Sequence, residues 1–349
     1  MTAKAKLDKA KPDWAGDDVL SRVVNVLIKT KPIYRVMKAQ ARRVLIKTAE
    51  KNGVPWRENS QVLEQALAQT IKAFDETDSS RTSESFDYPA YYQVPFHAYD
   101  EGNLCWQAAF EAPSATYAMA LRVWPQEDLS WQAAHNKLRG SFHQVLREHG
   151  PQSPVKDILD VGCSVGLSTR SLQTYYEQTQ NTPVRTVGLD LSPYMLAVAR
   201  HQHQHQHQYQ RDQDTAESPA KGSATSTIEW LHAKAESTQL PECSFDLVTL
   251  QFVIHELPRH ITQLIFDEAH RLLRPGGCIA IVDNNPQSPV IQNLPPVLFT
   301  LMKSTEPWSD DYYTFNVEAA LATSGFETLV TVASDPRHRT LVGHKPSLA

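Results

Sequence analysis

Cysteine is scarce in this chain of 349 residues: Cys105, Cys163, Cys243 and Cys278 are the only four. None is closely paired with another and none has zinc-site spacing, which excludes a disulfide scaffold and suits a reducing, cytoplasmic compartment. Long apolar runs are also missing. The longest near the start, Val23 to Ile28, falls far short of the ~18 residues a membrane span needs. The Lys/Ala-rich first dozen residues have no apolar core behind them, so no secretory signal is expected. With 41% hydrophobic and 21% charged residues, the chain is neither wholly disordered nor fibrous. Its length fits one large domain or two modest ones.

The charge is unevenly spread. Residues 1–60 hold 14 Lys/Arg against 6 Asp/Glu, and the rest hold 20 against 33, for a net −5. A basic head on an acidic body points to a separate role for the head. Three helices are expected in it: from Asp17-Asp18 to about Thr30, where Pro32 interrupts; from Ile33 to Asn52, stopped by Gly53; and over Leu63, Leu67, Ile71 and Phe74. Ser79 to Ser85 read as a linker, so residues 1–85 form a basic helical region. Residues 86–150 form an aromatic-rich helical cap, and 151–349 the main domain.

In that domain short β-branched runs near 155–162, 184–190, 227–232, 245–252 and 277–283 alternate with helices starting near Gly166, Pro193 and Pro258. Such alternation gives a parallel sheet with helices on both faces. After a loop-rich stretch and a short helix near 317–324 come two closing strands, 327–333 and 339–342, expected to make an antiparallel edge. Residues 201–226 are an insertion. It opens with alternating His and Gln from His201 to Gln208 and is read as a surface loop or frayed helix end. Alternate residues diverge on a helix, so no metal ligands are expected.

The chemistry-bearing segment is Asp160-Val161-Gly162-Cys163-Ser164-Val165-Gly166, where a strand runs into a small-residue turn that opens a helix. Small residues let backbone approach a ligand closely. The dinucleotide fingerprint would need a small residue at Leu167, which disfavours a nicotinamide enzyme. The Asp-x-Gly-x-Ser-x-Gly pattern instead resembles the first motif of class I S-adenosylmethionine-dependent methyltransferases. Asp190, in Gly188-Leu189-Asp190-Leu191-Ser192-Pro193, resembles the second motif. Ala233-Lys234-Ala235-Glu236 stands where that family often reads Asp-Ala-Glu. Phe245-Asp246-Leu247 with Gln251 to Leu257, and Arg274-Pro275-Gly276-Gly277, resemble the turns around the fourth and fifth strands. The closest flavour is the type 11 group, similar to the ubiquinone/menaquinone methyltransferases.

The resemblance implies a Rossmann-like core with a mostly parallel seven-stranded sheet and an antiparallel last strand, here with an N-terminal helical extension. It also implies S-adenosylmethionine as cofactor. Asp160 would support the turn and the methionine end, and Gly162, Cys163, Ser164 and Gly166 would give backbone access. Asp190 would hold the ribose, Leu191 and Met195 would flank the adenine, Ala235 would offer a backbone contact, and backbone near Gln251 would meet the amino group. Methyl transfer from a sulfonium is an in-line displacement, so position and orientation matter most. His255 is the candidate base, through a neutral ring accessible near pH 7, and Asp283 is a candidate on the acceptor rim. Trp308, Tyr312, Tyr313 and Phe315 would close over an acceptor from one side, and Tyr91, Tyr92, Phe96 and Tyr99 from the other.

Neither an Asn/Asp-Pro-Pro-Tyr motif after the fourth strand nor a Cys after Pro is present. A small apolar or aromatic acceptor is therefore expected, and no nucleic acid. Arg35, Lys38, Arg42, Arg43 and Lys47 flank an apolar stripe; either they hold the protein peripherally on an anionic membrane or they form a solvated face packed on the body. The competing reading of the whole chain is a cofactor-binding partner protein without catalysis.

Overall fold

The computed structural model describes residues 10–16, 19–80, 86–214 and 227–347. The linker 81–85 and most of the polar tract after the His-Gln repeat lie outside the described residues. Four helices come first: α1 (Val19–Lys29), α2 (Lys31–Lys51), α3 (Trp56–Ala66) and α4 (Ala68–Ser80). The break expected near Thr30 falls at that residue, the N-cap of α2, and Pro32 sits in the first turn of α2, where no N–H is needed from it. An irregular stretch then leads to α5 (Trp106–Leu121) and α6 (Trp131–His149). The Ser130 hydroxyl caps α6 by accepting from the Ala133 amide at 3.2 Å.

The sheet elements follow as β1 (Asp157–Val161), α7 (Leu167–Gln180), β2 (Arg185–Asp190), α8 (Pro193–Asp214), β3 (Ile228–His232), β4 (Phe245–Gln251), α9 (Arg259–Leu272) and β5 (Leu273–Asn284). After them come α10 (Pro289–Gln292), α11 (Pro296–Thr305), α12 (Ser309–Tyr313), α13 (Val317–Thr323), β6 (Glu327–Ala333) and β7 (His338–His344). The seven strands lie in the order β3-β2-β1-β4-β5-β7-β6, with the first five parallel. β7 runs antiparallel to both β5 and β6. The last strand, β7, is antiparallel as expected and pairs with β6, which forms the edge, while its other side joins β5 inside the sheet. β5 begins four residues before the expected Gly277, since Leu273 already pairs with Phe245 ahead of an irregularity in register.

Strand alternation sorts the core onto two faces. Ile158 packs with Phe142, Val145, Leu172 and Tyr176, while Leu159 and Val161 pack with Ile261, Ile265 and Phe266. All five parallel strands therefore end at one rim, where ligands bind in this architecture. The N-terminal segment joins the same body. Trp14 is 2% exposed, stacks on Phe299 with ring centroids 5.7 Å apart, meets Tyr313 edge-on, and donates its indole N–H to the Ile291 carbonyl at 3.1 Å. The His-Gln repeat continues α8 to Asp214 and does not leave the helix as a loop. Among the described residues no helix is long and apolar enough to cross a membrane.

Candidate active site at the sheet rim

A cavity of about 1310 Å³ opens over the tips of β1, β2 and β4. Of the residues expected to hold the cofactor, Gly162, Cys163, Ser164, Asp190, Leu191, Met195, Ala235 and Gln251 line it, and His255 does too. Asp160, Gly166 and Asp283 do not, and each has a physical reason.

Asp160 is 1% exposed and lies under the turn. It accepts from the Ser168 and Thr169 hydroxyls and from Thr249, each at 2.7 Å. Burial raises its pKa, against these hydrogen bonds. It pins the start of α7 to β1 and β4 and does not itself reach the cavity. Gly166 has φ +77°, and a Cβ there would lie 2.2 Å from Trp230 Cη2. Glycine is demanded at that position by the indole packed beneath the turn, more than by a ligand above it. Asp283 is fully buried behind His255.

Asp190 joins the two strand tips. Its Oδ2 accepts from the Ser164 amide at 2.7 Å and its Oδ1 from the Ser192 amide at 2.8 Å. Burial pushes its pKa up to about 6, while those amides and the Tyr92 hydroxyl favour the charged form. A ribose diol at this carboxylate would take the place that the Tyr92 hydroxyl holds. Lys234, which replaces an expected acceptor, turns away from the cavity. Its ammonium lies 3.5 Å from Asp87 Oδ2 and 5.9 Å from the centre of the Phe86 ring.

Gln251 ends β4. Its side-chain Oε1 accepts from Arg139 Nη1 at 2.8 Å, and its Nε2 is buried with no partner. Arg139, on α6, is 7% exposed and lines the same wall. The sequence reading passed over it. The available signal was a His135/Arg139/Phe142/Leu146 stripe, in which a guanidinium stands on the buried face of a helix. A fixed guanidinium beside an unpartnered amide donor fits a carboxylate. At the far side of the rim, Asp190 fits a ribose diol. The donor set therefore matches an amino-acid nucleoside with groups at both ends.

Tyr91, Leu294, Leu298, Leu301, Met302 and Trp308 supply an apolar part of the lining, with His97, Glu256 and Glu306 beside it. Tyr92, Phe96 and Tyr99 also line the cavity, as expected, but Tyr312 and Tyr313 do not. Those two are 1% and 2% exposed in the core, and Tyr312 donates to the Asn284 carbonyl. α2 roofs one side through Ala41, Val44 and Leu45. Lys38 and Arg42 of that helix are ion-paired with Asp100 and Glu111 and belong to the body.

His255 follows β4, and its Nδ1 lies 2.8 Å from Asp283 Oδ1, though not aligned for a good hydrogen bond. Burial alone favours the neutral ring. The Asp283 charge, with Glu306 and Glu256 adding, outweighs it and pushes the pKa up to about 10. His255 consequently carries a proton at neutral pH, whereas the sequence suggested an accessible neutral base.

Residues 159–281 match a family model described as a methyltransferase domain of the type 11 group. Over this stretch the chain is similar to the class I methyltransferases of the type 11 family. The chain is 31% identical over 142 residues to an uncharacterised methyltransferase of Synechocystis sp., covering 41% of this chain and 53% of that protein. It is 28% identical over 127 residues to a demethylmenaquinone methyltransferase of Oceanobacillus iheyensis, covering 36% and 44%. It is 24% identical over 164 residues to the chloroplastic 2-phytyl-1,4-beta-naphthoquinone methyltransferase of Arabidopsis thaliana, covering 47% and 48%. The chain thus spans about half the length of these relatives. Among solved structures, the CurJ carbon methyltransferase aligns at 14% identity with a TM-score of 0.46, over 88% of this chain and 71% of that one.

Proposed function

We propose that the protein transfers a methyl group from S-adenosylmethionine to a small apolar or aromatic molecule, of the chemical kind handled by the quinone methyltransferases it resembles. The observation that carries this reading is one cavity of about 1310 Å³ with two unlike halves. A pocket for a single ligand usually measures about 300–1,000 Å³, so this one has room for a cofactor and an acceptor. One half carries Arg139, Gln251, Ser164 and Asp190; the other carries Leu294, Leu298, Leu301, Met302 and Trp308.

When bound, the cofactor supplies an activated methyl group. The chain's own work is then positional. Arg139 and Gln251 hold the carboxylate, Asp190 holds the ribose, and Leu191 with Met195 cover the base. The apolar wall aligns the acceptor and excludes water. α1 exposes Val19 (77%), Val23 (54%) and Val26 (66%) and packs on α11, where Leu298 is 51% exposed. This supports a further reading, that α1 rests on a membrane surface and that the acceptor comes from the lipid phase.

Incubation with methyl-labelled S-adenosylmethionine and a membrane extract tests the proposal. Label is expected in an organic-soluble product. Cofactor binding without any turnover would instead favour a non-catalytic partner, and tight NAD binding with none for S-adenosylhomocysteine would overturn the reading.

A further inference from the structure

Three elements that are far apart in sequence converge on one point of the cavity. His97 comes from the cap segment, His255 from the turn after β4, and Glu306 from the end of α11. Their ligand-type atoms all lie within 4.8 Å of one another. We propose that His97, His255 and Glu306 form a binding site for a divalent first-row transition ion, with Asp283 orienting His255 from behind.

The donor set argues for this class of ion. Two imidazoles and one carboxylate suit zinc, cobalt, iron or manganese, whereas magnesium and calcium favour oxygen-only ligands. The arrangement behind the ligands is also that of a metal site. Ligating histidines regularly turn their second ring nitrogen to a carboxylate, and His255 Nδ1 stands 2.8 Å from the fully buried Asp283. That leaves Nε2 of His255 for the cavity, where an ion would displace the proton this ring otherwise carries. The Asp283 carboxylate is itself fixed by the amides of Asn284 at 2.7 Å and His255 at 3.2 Å.

The cap is bent to deliver His97. His97 and Ala98 both have left-handed backbone, with φ 48° and 72°, and the His97 amide donates to the Thr305 carbonyl at 2.8 Å, next to Glu306. Strained backbone of this kind persists where its surroundings over-determine it. His97 presents its ring to the cavity, and its side chain is 42% accessible. Glu256 Oε1 stands 3.7 Å from His97 Nε2, outside the cluster of three. Metal bonds of about 2.0–2.2 Å would bring the ligand atoms to roughly 3–3.5 Å apart, and rotation of the half-open His97 ring closes that gap. The remaining coordination positions face the cavity and would take an oxygen of the acceptor; that last clause alone rests on the methyl-transfer reading.

The test must silence a decoy. His201 and His205 lie one helical turn apart on α8, with ring centroids at 4.3 Å, and such a pair binds metals weakly. The full chain carrying His201→Gln and His205→Gln is stripped with chelator and titrated with cobalt(II), read by visible absorption and elemental analysis. One cobalt per chain is expected. His97→Ala and Glu306→Gln should each weaken uptake by at least about 100-fold, and Asp283→Asn by about 10–100-fold. Circular dichroism checks the fold of each variant, and His97, being on the cavity surface, is the substitution least able to disturb it. No uptake by the decoy-free chain, or equal uptake by the well-folded His97→Ala protein, overturns the metal site. Calorimetry with S-adenosylhomocysteine runs in parallel. Nucleoside binding without cobalt uptake sinks the metal and leaves the transfer reading standing, and the reverse result does the opposite.

Discussion

Arg139 Nη1 donates to Gln251 Oε1 at 2.8 Å, joining residues 112 positions apart in the sequence. The bond fixes the guanidinium of α6 against the tip of β4 and leaves the Gln251 amide donor free to face the cavity. Truncating Arg139 to Leu removes a charge-assisted contact worth about 1.5–3 kcal/mol. S-adenosylhomocysteine should then bind about 10–100-fold more weakly by calorimetry. Methylthioadenosine, which has no carboxylate, should bind the two proteins alike. Equal losses for both nucleosides would show that Arg139 supports the wall without touching the carboxylate.

Asp190 gives a pH signature. Its carboxyl is pushed up to about 6 by burial. The charged form accepts from both ribose hydroxyls, and the neutral form must spend one oxygen as a donor. Nucleoside affinity is therefore full above about pH 7 and falls as the pH drops through 6. Asp190→Asn should bind weakly throughout and lose the inflection. A wild-type affinity that stays flat from pH 7 to 5 would separate Asp190 from the ribose.

A second pH effect concerns stability. Glu268 is lowered to about 2: burial opposes the shift, but Arg271 and the Thr238 hydroxyl and amide outweigh it. Because the folded pKa lies below the ordinary carboxylate value, the contribution is complete above about pH 4.5 and is lost between there and about pH 2. Urea midpoints of wild type and Glu268→Gln should differ at pH 7 and converge toward pH 2. A constant difference across that window counts against the assignment.

Trp14→Ala should cost about 3–5 kcal/mol of unfolding free energy, the usual range for a buried large aromatic. The indole is 2% exposed and carries a buried hydrogen bond to the Ile291 carbonyl. Chemical denaturation measures it. A change below about 1 kcal/mol would mean that the segment packs without contributing.

Val23→Glu with Val26→Glu adds charge to the exposed face of α1 without touching the core. If that face lies on lipid, flotation with anionic vesicles should fall about tenfold. Unchanged flotation, or none by the wild type, removes the membrane contact.

The seven strands and the two acidic tips were legible because their signals are local. A β-branched run ending in Asp160 or Asp190 is complete within a few residues, and the turn after β1 announces itself by its small side chains. Depth was not legible. Asp160 and Asp190 look alike in the sequence, yet three hydroxyls from α7 and β4 draw the first beneath the turn, while the second borders the cavity. Arg139, His97 and Glu306 carry no spacing pattern with the residues they meet, since each arrives from a separate element. The His-Gln tract misled in another way. Its neighbours two apart diverge on a helix, but its members four apart, His201 and His205, come together.

The N-terminal segment is locked to the far end of the chain. The Gly16 amide donates to Asp310 at 3.0 Å, and Lys303 reaches the Trp14 carbonyl, the Ser21 hydroxyl and Asp310. During synthesis, residues 10–25 must therefore wait until nearly three hundred more have been added before their partners exist. Long-range closures of this kind form late and slowly. The apolar wall of the cavity cannot close before α11 has been made, and a nascent chain that stalls short of it would display that greasy lining to the cell.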